Sequence, residues 1–466
     1  MNKLRFYLAL WLAKLSVPAL KITRHNGTDF PGALALRICP DFLSYIGYPA
    51  TVVAVTGTNG KTTASNLLCD LLERNGKTVL SNRFGSNIAS GIATVLLRGA
   101  TLGGRAKKRY DLAVLEIDER SSPRVFPFIK PSYVVITNLF RDSIMRNAHP
   151  DYIASILTSS IPTDATLIVN ADDLISYRVS PNNPRVSFAI DRLPGEDGQT
   201  TSRIDDLRIC PLCHAPLIYD YRHYHHLGRA HCSVCTFASP TPTFLASDPN
   251  FEGKTMTVSE GEERFSYSLI SDNLFNAYNT LTAISTMRML GHTHDKIAAA
   301  LKDCAVAASR HNEEMVGGVN LIMQMSKEKN ALAASRAFDY IGKRSGEKEI
   351  LMMMNCLGDT THWSENCCWI YDTDFEYLKD DSVKAIVCAG ARADDYRLRL
   401  LLAGVKEDRI LVVKDEFAAV DALPLKKGHD VYLLYGTDSL ARAYRVYDYM
   451  KKRAADKAET EGGIAK

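Results

Sequence analysis

The stretch Thr51–Thr63, TVVAVTGTNGKTT, decides the fold of this chain. An apolar run of mostly β-branched residues, VVAV, ends at a turn of small residues, and the next segment, Ala64–Arg74, has leucines at helical spacing. This order predicts a strand, a phosphate-binding loop and a helix. Gly57 and Gly60 let backbone N–H groups close around an anionic phosphate, and the helix N-terminus adds its positive dipole end.

The residues around the second glycine supply the other groups that such a loop needs. Lys61 brings a mobile positive charge, and Thr62 and Thr63 are placed to offer a hydroxyl to a magnesium ion on the phosphate. The general pattern G-x-x-x-x-G-K-[ST] would need glycine at position 55, which is Val55, so this loop is a shortened variant. The predicted ATP-binding residues are Thr58, Asn59, Gly60, Lys61, Thr62 and Thr63.

Length and composition limit the class of protein. At about 150 residues per domain, 466 residues predict roughly three domains. The net charge of +3 gives no electrostatic reason to expect a nucleic-acid partner. Four of the eleven cysteines form two C-x-x-C pairs, and the others are mostly scattered. This pattern does not suggest a disulfide framework, so we expect a reducing cytoplasm.

The N-terminal run from Leu4 to Leu20 is apolar, but it is short and interrupted by Arg5 and Lys14, and no convincing cleavage site follows it. Large apolar residues recur in it at helical spacing: Leu4, Leu8, Trp11, Leu12 and Leu15. We therefore predict an amphipathic helix packed on the body of the protein, with peripheral membrane contact as the alternative.

Several apolar strands separated by helices predict a parallel α/β sheet around the phosphate loop. The predicted strands after the loop are Lys77–Leu80, Tyr110–Asp118, Tyr133–Thr137 and Leu167–Asn170. Acidic residues end the second of these, where a magnesium contact is expected near a phosphate loop. Glu116 is our candidate ligand, with Asp118 and Glu119 behind it; the alternative is a solvated acidic turn.

Two cysteine pairs mark an insert at residues 205–240. Cys210 and Cys213 form one C-x-x-C pair, Cys232 and Cys235 the other, and eighteen residues separate the pairs. This is the spacing of a four-thiolate zinc ribbon, and a closed four-thiolate site makes the zinc structural rather than catalytic. We expect the neighbouring histidines to be surface or packing residues: His214, His223, His225, His226 and His231.

The remainder predicts a second, Rossmann-like α/β domain. A helix over Asp272–Leu290 carries Asn276 and Asn279, and SRHNEEM at Ser309–Met315 reads as a linker. Strands and helices alternate again from Val319. The predicted domains are an N-terminal helical segment (1–48), a central ATP-binding domain (49–312), a C-terminal α/β domain (313–455) and a flexible tail (456–466).

The loop TGTNGKTT resembles the ATP loop of the Mur ligases and folylpolyglutamate synthases. Together with the inserted ribbon and the second α/β domain, it resembles the family of MurT, the Mur-ligase-like subunit of lipid II isoglutaminyl synthase. The strings that carry this likeness are FPGALALRICPDFL (30–43), TNLFRD (137–142), LFNAYNTLTA (274–283) and AGARADDYRLRLLLAGV (389–405). The likeness covers nearly the whole chain and implies the Mur-ligase fold.

The resemblance also implies an activity. ATP would phosphorylate the α-carboxylate of D-glutamate in the lipid II stem peptide, and ammonia from a partner glutaminase of the GatD type would attack the acyl phosphate. The cofactors implied are ATP, Mg²⁺ and Zn²⁺. Lys61 and Glu116 would serve the phosphoryl transfer, Asn279 would face the adenine, and Arg310 the phosphates. The acceptor places the reaction at the membrane surface.

Some residues depart from the family's pattern. The family gives one acidic side chain to the partner's glutaminase site, and the matching position here is Asn366. An amide can orient a histidine but cannot stabilise its cation as a carboxylate does. Glu365, Asp359 or Asp372 could take this role, or the coupling to glutaminase is altered.

Two other classes are rivals, and the departures also leave open a non-catalytic partner subunit, against which the intact ATP loop argues. A stand-alone ligase that adds an amino acid to a peptide or folate-like acceptor would act without a glutaminase and leaves the ribbon unexplained. A nucleic-acid-binding ATPase would use the ribbon, but the insert has no basic run and no aromatic platform.

Overall fold

The computed structural model describes residues 2–22, 27–141, 149–304, 311–326, 330–354, 367–436 and 439–463. The chain divides into two compact units, one formed by most of the first 306 residues and the other chiefly by residues 307–466.

The first unit is built on a nine-stranded sheet with the order β11-β10-β9-β6-β5-β4-β1-β3-β2. Its strands are β1 (Thr51–Thr56), β2 (Val79–Ser81), β3 (Leu112–Glu116), β4 (Tyr133–Ile136), β5 (Thr166–Asn170), β6 (Arg185–Ile190), β9 (Phe244–Asn250), β10 (Thr255–Glu260) and β11 (Glu263–Ser268). Strands β2 to β6 and β9 run parallel to β1, while β10 and β11 add an antiparallel edge. The predicted parallel sheet is confirmed, and β1 lies inside it between β3 and β4.

The helices of this unit are α1 (Asn2–Ile22), α2 (Phe30–Ile38), α3 (Lys61–Arg74), α4 (Ala89–Gly99), α5 (Ser122–Val125), α6 (Pro150–Ser160), α7 (Leu174–Tyr177), α8 (Leu274–Met289) and α9 (His294–Lys302). The strand–loop–helix order predicted around Lys61 is therefore confirmed. No helix among the described residues is long and apolar enough to cross a membrane.

The insert forms a two-stranded antiparallel hairpin, β7 (Leu217–Tyr224) and β8 (Leu227–Cys232). It lies in the chain between β6 and β9, which are neighbouring parallel strands of the main sheet. A connection between parallel strands is usually a helix. Here the hairpin lies in that connection, so the chain enters the insert from β6 and leaves it toward β9.

Helix α1 packs with the face opposite to the one expected. Its buried side chains are Phe6, Ala9, Leu10 and Ala13, and they join the core of the first unit. The predicted apolar stripe is exposed instead: Leu4, Leu8, Trp11, Leu12 and Leu15. The helix is apolar on both faces, and the alanines allow close approach to the body, so the stripe of large residues was the wrong choice for the packed face.

The second unit has a six-stranded sheet with the order β12-β13-β17-β14-β15-β16. Its elements are β12 (His311–Val316), β13 (Val319–Met325), α10 (Ala331–Lys343), β14 (Lys348–Met353), α11 (Cys368–Asp372), β15 (Val383–Cys388), α12 (Ala393–Leu402), β16 (Ile410–Val412), α13 (Glu416–Asp421), β17 (Asp430–Tyr435) and α14 (Leu440–Gly463). All strands are parallel except β12, which pairs antiparallel with β13. The predicted second α/β arrangement is confirmed.

Two predictions for this region are wrong. The supposed linker SRHNEEM overlaps strand β12, which pairs with β13 at the edge of the sheet. An antiparallel edge strand can have one face in solvent, so its polar residues are compatible with a strand. The supposed flexible tail from 456 is helical as far as Gly463. Its Ala, Lys and Glu residues are strong helix formers, which explains why α14 continues through this polar segment.

Candidate active site

The loop between β1 and α3 is closely surrounded by its own unit. Gly57 has a φ of +124° and Gly60 a φ of +84°, values that side-chain-bearing residues rarely adopt. A β-carbon at Gly57 would lie 2.3 Å from Thr137 Oγ1, and one at Gly60 would lie 2.3 Å from Asn279 Oδ1. Both glycines are therefore required by conformation and by space.

The segment after β4 holds the loop through a set of hydrogen bonds. Thr58 donates its N–H to Asn138 O (2.7 Å), and Thr58 Oγ1 accepts from the Phe140 N–H (2.9 Å). Asn59 donates its N–H to Asn138 Oδ1 (3.1 Å), while Thr137 Oγ1 and Asn138 Nδ2 both donate to Asn59 O. These hydrogen bonds come from within the protein and hold the loop backbone in place, and an ordered loop lowers the entropic cost of binding.

Lys61 lies at the N-terminus of α3 and pairs with Glu119. Its Nζ is 2.7 Å from Glu119 Oε1, and it also donates to Gly57 O. The same carboxylate oxygen accepts the Gly57 N–H at 3.0 Å. Only 13% of the Lys61 side chain and 8% of the Glu119 side chain is exposed. Glu119 thus joins the lysine and the start of the loop into one unit.

Burial and pairing act in opposite directions on this ion pair. Burial alone would lower the pKa of Lys61, but the charge and hydrogen bond of Glu119, with the charges of Asp118 and Glu116, together outweigh it, so the pKa of Lys61 is raised. Burial also raises the pKa of Glu119, and Lys61 opposes that rise. The lysine consequently keeps its positive charge, which is the form that an anionic phosphate needs.

The other predicted site residues lie around the loop. Thr62 is exposed and Thr63 half-buried in the first turn of α3. Glu116 is half-buried at the end of β3, where its Oε1 accepts from Asn87 Nδ2 at 2.9 Å. Asn279, in α8, has its side-chain oxygen beside Gly60 and donates to Asn276 Oδ1. The structure therefore brings these residues together at one end of β1.

These residues fit a nucleotide with a divalent cation. Phosphate is bound by backbone N–H groups and by a charged lysine at a helix N-terminus, and magnesium is bound by hydroxyl and carboxylate oxygens.

Two predicted residues lie outside the described part of the chain: Arg310 and Asn366. Of the three alternatives to Asn366, only Asp372 is described, as the half-buried last residue of α11.

The four cysteines of the insert form a compact cluster. Their Sγ atoms all lie within 4.8 Å of one another. Cys210 Sγ is 3.5 Å from Cys235 Sγ, and Cys213 Sγ is 3.3 Å from Cys232 Sγ. Zinc bound tetrahedrally at a Zn–S distance of about 2.3 Å needs sulfur atoms about 3.8 Å apart. The donor set and its spacing thus fit a zinc ion.

The opposite end of the hairpin is buried against carboxylates of the segments that follow β5 and β6. His223 Nδ1 is 2.9 Å from Glu196, and its Nε2 is 4.0 Å from Asp172 Oδ2. His226 Nε2 lies 3.2 Å from Asp173 Oδ1, and both side chains are fully buried. Burial would lower the pKa of His223, but the bond to Glu196 and the charge of Asp172 raise it above its ordinary value. The predicted packing role holds for these histidines.

Phe140 connects this end of the hairpin to the nucleotide loop. Its ring lies 4.5 Å from that of His226, centroid to centroid, and its backbone bonds the Thr58 side chain. Asp173 Oδ2 accepts the N–H of Leu139, the preceding residue. The hairpin turn and the nucleotide loop are therefore supported by the same short segment of chain.

Comparisons with known proteins agree with this architecture. Residues 55–192 match the family described as Mur ligase middle domain, and residues 328–437 match MurT ligase C-terminal. A pseudomurein peptide ligase type C from Methanothermus fervidus has a similar fold, with a TM-score of 0.65, 21% identity, and coverage of 88% of this chain and 80% of that one. MurF from Thermotoga maritima, solved in complex with ADP, has a TM-score of 0.55 at 16% identity over 93% of this chain and 85% of that one.

The fold and the loop define an ATP-dependent ligase of the Mur-ligase class. Among curated relatives, subunit MurT of lipid II isoglutaminyl synthase (glutamine-hydrolyzing) from Staphylococcus aureus strain COL is 31% identical over 92% of this chain and 94% of its own length. The subunit of the same name from Streptococcus pneumoniae is 28% identical over 83% and 84%. This chain belongs to the MurT family.

Sequence reasoning did not predict a partner for Lys61, and its ranking of Glu116 before Glu119 concerned only the magnesium ligand. Glu119, not Glu116, is the carboxylate that pairs with Lys61. Which of three nearby acidic residues reaches the lysine depends on the tight turn Glu119–Ser121, which periodicity does not reveal. The Thr137–Phe140 support was also missed as a structural element, although its string TNLF carried the family likeness. Polar residues directly after a neighbouring strand were the available signal.

Proposed function

We propose that this chain is the ATP-dependent amidating subunit of a lipid II isoglutaminyl synthase. The acceptor would be the α-carboxylate of D-glutamate in the lipid II stem peptide, converted to D-isoglutamine with ammonia from a GatD-type glutaminase partner. The observation that carries this proposal is the charged lysine at the N-terminus of α3, in a preformed loop, within a chain related to MurT along nearly its whole length.

The chain's own residues have separate tasks in this reaction. ATP, when bound, supplies the phosphoryl group that activates the carboxylate. Lys61 and the loop N–H groups would hold and neutralise the phosphates, and Thr62 and Glu116 would hold Mg²⁺. Asn279 would face the adenine and Arg310 the phosphates. Glu119 keeps Lys61 charged and positioned, because its carboxylate holds both the ammonium group and the Gly57 N–H.

The proposal extends to the remaining parts of the chain. Residues 49–312 would form the ATP-binding domain, and 313–455 the C-terminal domain that meets the partner, with Asn366 at the position of the family's acidic residue. Cys210, Cys213, Cys232 and Cys235 would hold a structural Zn²⁺. Because lipid II is membrane-linked, the protein would work in the cytoplasm at the inner face of the membrane.

The test is amidation of a D-glutamate-containing lipid II substrate by the purified chain with ATP and magnesium. One arm supplies glutamine and a co-expressed GatD-type glutaminase, and the other supplies free ammonia. We expect product in both arms. Product with ammonia alone would place a defect in glutaminase coupling, and ATP turnover without product in either arm would refute lipid II as the acceptor.

Lys61→Ala should lower amidation by at least about 100-fold, because it removes the charge that the phosphoryl group needs. Lys77→Ala, which changes an exposed lysine of the same unit, is the matched control and should leave the rate unchanged. Circular dichroism checks that both variants are folded. Undiminished turnover in Lys61→Ala would exclude the mechanism.

A further inference from the structure

The outward face of α1 is an unusual surface for a folded protein. Its exposed apolar side chains are Leu4 (81% exposed), Leu8 (51%), Trp11 (52%), Leu12 (42%) and Leu15 (67%). They recur three and four residues apart and so form one continuous stripe along the helix. Isolated exposed leucines are ordinary, but a contiguous apolar patch marks a binding surface.

A neighbouring loop extends this patch. Trp11 Nε1 donates to Leu102 O at 3.0 Å, and the Leu102 side chain is 71% exposed. A β-carbon at Gly104, in the same loop, would meet the Phe6 ring at 2.7 Å, so the loop lies closely against α1. The apolar surface therefore spans two elements of the first unit that are firmly packed together.

The two segments that form the patch carry basic side chains and no acidic ones. Residues 1–28 contain no acidic residue, and Lys3 and Arg5 are exposed beside the stripe. The adjoining loop, residues 101–110, is also free of acidic residues, and its Arg105 and Lys108 are exposed. Lys14 is used differently, since its Nζ donates to Leu97 O and Ala100 O at the end of α4. An apolar stripe with basic neighbours complements a surface that is both apolar and negatively charged.

From these observations we infer that α1 and the 101–110 loop bind the surface of an anionic lipid bilayer, with the helix lying in the plane of the headgroups. The inner face of α1 is committed to the protein core, so the helix would lie on the membrane rather than cross it. Leucines and the tryptophan would enter the headgroup boundary, and the basic residues would face anionic phosphates. The value of this surface rests on the proposed function, because it would hold the active site near a lipid-linked acceptor.

The experiment is co-sedimentation of the full chain with vesicles, without ATP, lipid II or a glutaminase. One set contains phosphatidylglycerol and phosphatidylcholine, and the other phosphatidylcholine alone. We expect binding to the anionic vesicles that is at least about tenfold tighter than to the neutral ones and weaker at high salt. Trp11 emission should shift to the blue on binding, and Trp11→Phe should remove that shift.

Matched variants distinguish binding through this surface from nonspecific adsorption to vesicles. Leu8→Glu/Leu15→Glu should weaken vesicle binding by at least about tenfold. Leu402→Glu/Leu411→Glu, at two exposed apolar positions of the second unit, should not. Lys3→Gln/Arg5→Gln should reduce the preference for anionic lipid, whereas Lys302→Gln/Lys452→Gln, with the same loss of charge elsewhere, should leave it intact.

Three outcomes would overturn the inference: no binding to anionic vesicles, binding that the α1 variants leave unchanged, or a dimer in solution that Leu8→Glu/Leu15→Glu converts to monomer. The last would make a second copy of the chain the occupant. Amidation in detergent without vesicle binding would refute this surface and keep the proposed function. Vesicle binding without amidation would support this surface and refute the proposed function.

Discussion

The two ends of the inserted hairpin are held in opposite ways. At one end, four cysteines come together, and Leu212 and Val234, each between the two cysteines of a pair, are largely exposed. At the other end, the side chains of His223 and His226 are fully buried against carboxylates of the segments that follow β5 and β6. The four thiols of the first end are suited to hold a zinc ion, whereas the second end is ordered by packing and charge within the protein. Zinc bound by these thiols would give the insert one attachment that depends on the metal and one that does not.

Loss of the metal should give the largest effect and affect the two ends unequally. Cys210→Ser/Cys213→Ser should lower the zinc content from about one ion per chain to about zero and reduce the free energy of unfolding by about 3 kcal/mol or more. Hydrogen exchange should show lost protection around the cysteines and retained protection at residues 223–226. Cys304→Ser, outside the cluster, is the control. Equal loss at both ends would show that the ends are not independent.

The histidine end should respond to His226→Ala. This change removes a buried ring that packs on Phe140 and lies 3.2 Å from Asp173, so we expect a loss of about 2–4 kcal/mol in unfolding free energy. His231→Ala, at an exposed position of the same hairpin, should cost no more than about 0.5 kcal/mol. Chemical denaturation measures both. Because Phe140 bonds Thr58, His226→Ala should also weaken ATP binding, whereas zinc content should remain at about one ion. Unchanged ATP affinity in His226→Ala would show that the hairpin turn does not influence the nucleotide loop.

The smallest effect should be a pH dependence at His223. Its folded-state pKa is raised, so its stabilising contribution is complete below the unfolded value of about 6.5 and is lost as pH rises through the folded pKa. The difference in unfolding free energy between the wild type and His223→Gln should therefore shrink as pH rises above about 6.5. A difference that is constant with pH would show that folding does not raise the pKa of His223.

The parts of this molecule that local sequence determines were predictable. β-branched runs fix the parallel strands, glycines at positions 57 and 60 fix the loop, and the spacing of the cysteine pairs fixes the thiolate cluster. Each depends on neighbours within a short stretch of chain or on a repeated motif. The same reasoning predicted the helix that follows the loop over Ala64–Arg74, and α3 begins at Lys61, earlier than predicted.

What could not be predicted depends on contacts between distant segments. Glu119 reaches Lys61 across 58 positions of sequence, and His226 meets Phe140 because the hairpin turns back toward the sheet. Helix α1 shows the same limit. Periodicity identifies two apolar faces, but only the shape of the surface beneath decides that the face with Ala9 and Ala13 is buried.

The position of Phe140 has a practical consequence for spectroscopy. Its backbone holds the nucleotide loop at Thr58, and its ring rests on His226 of the hairpin. A single fluorine atom placed on this ring by site-specific incorporation would therefore sense both the occupancy of the loop and the order of the hairpin. Titration with nucleotide, and separately with a chelator, would give two changes in one ¹⁹F resonance, so that communication between the two regions can be followed without labelling either.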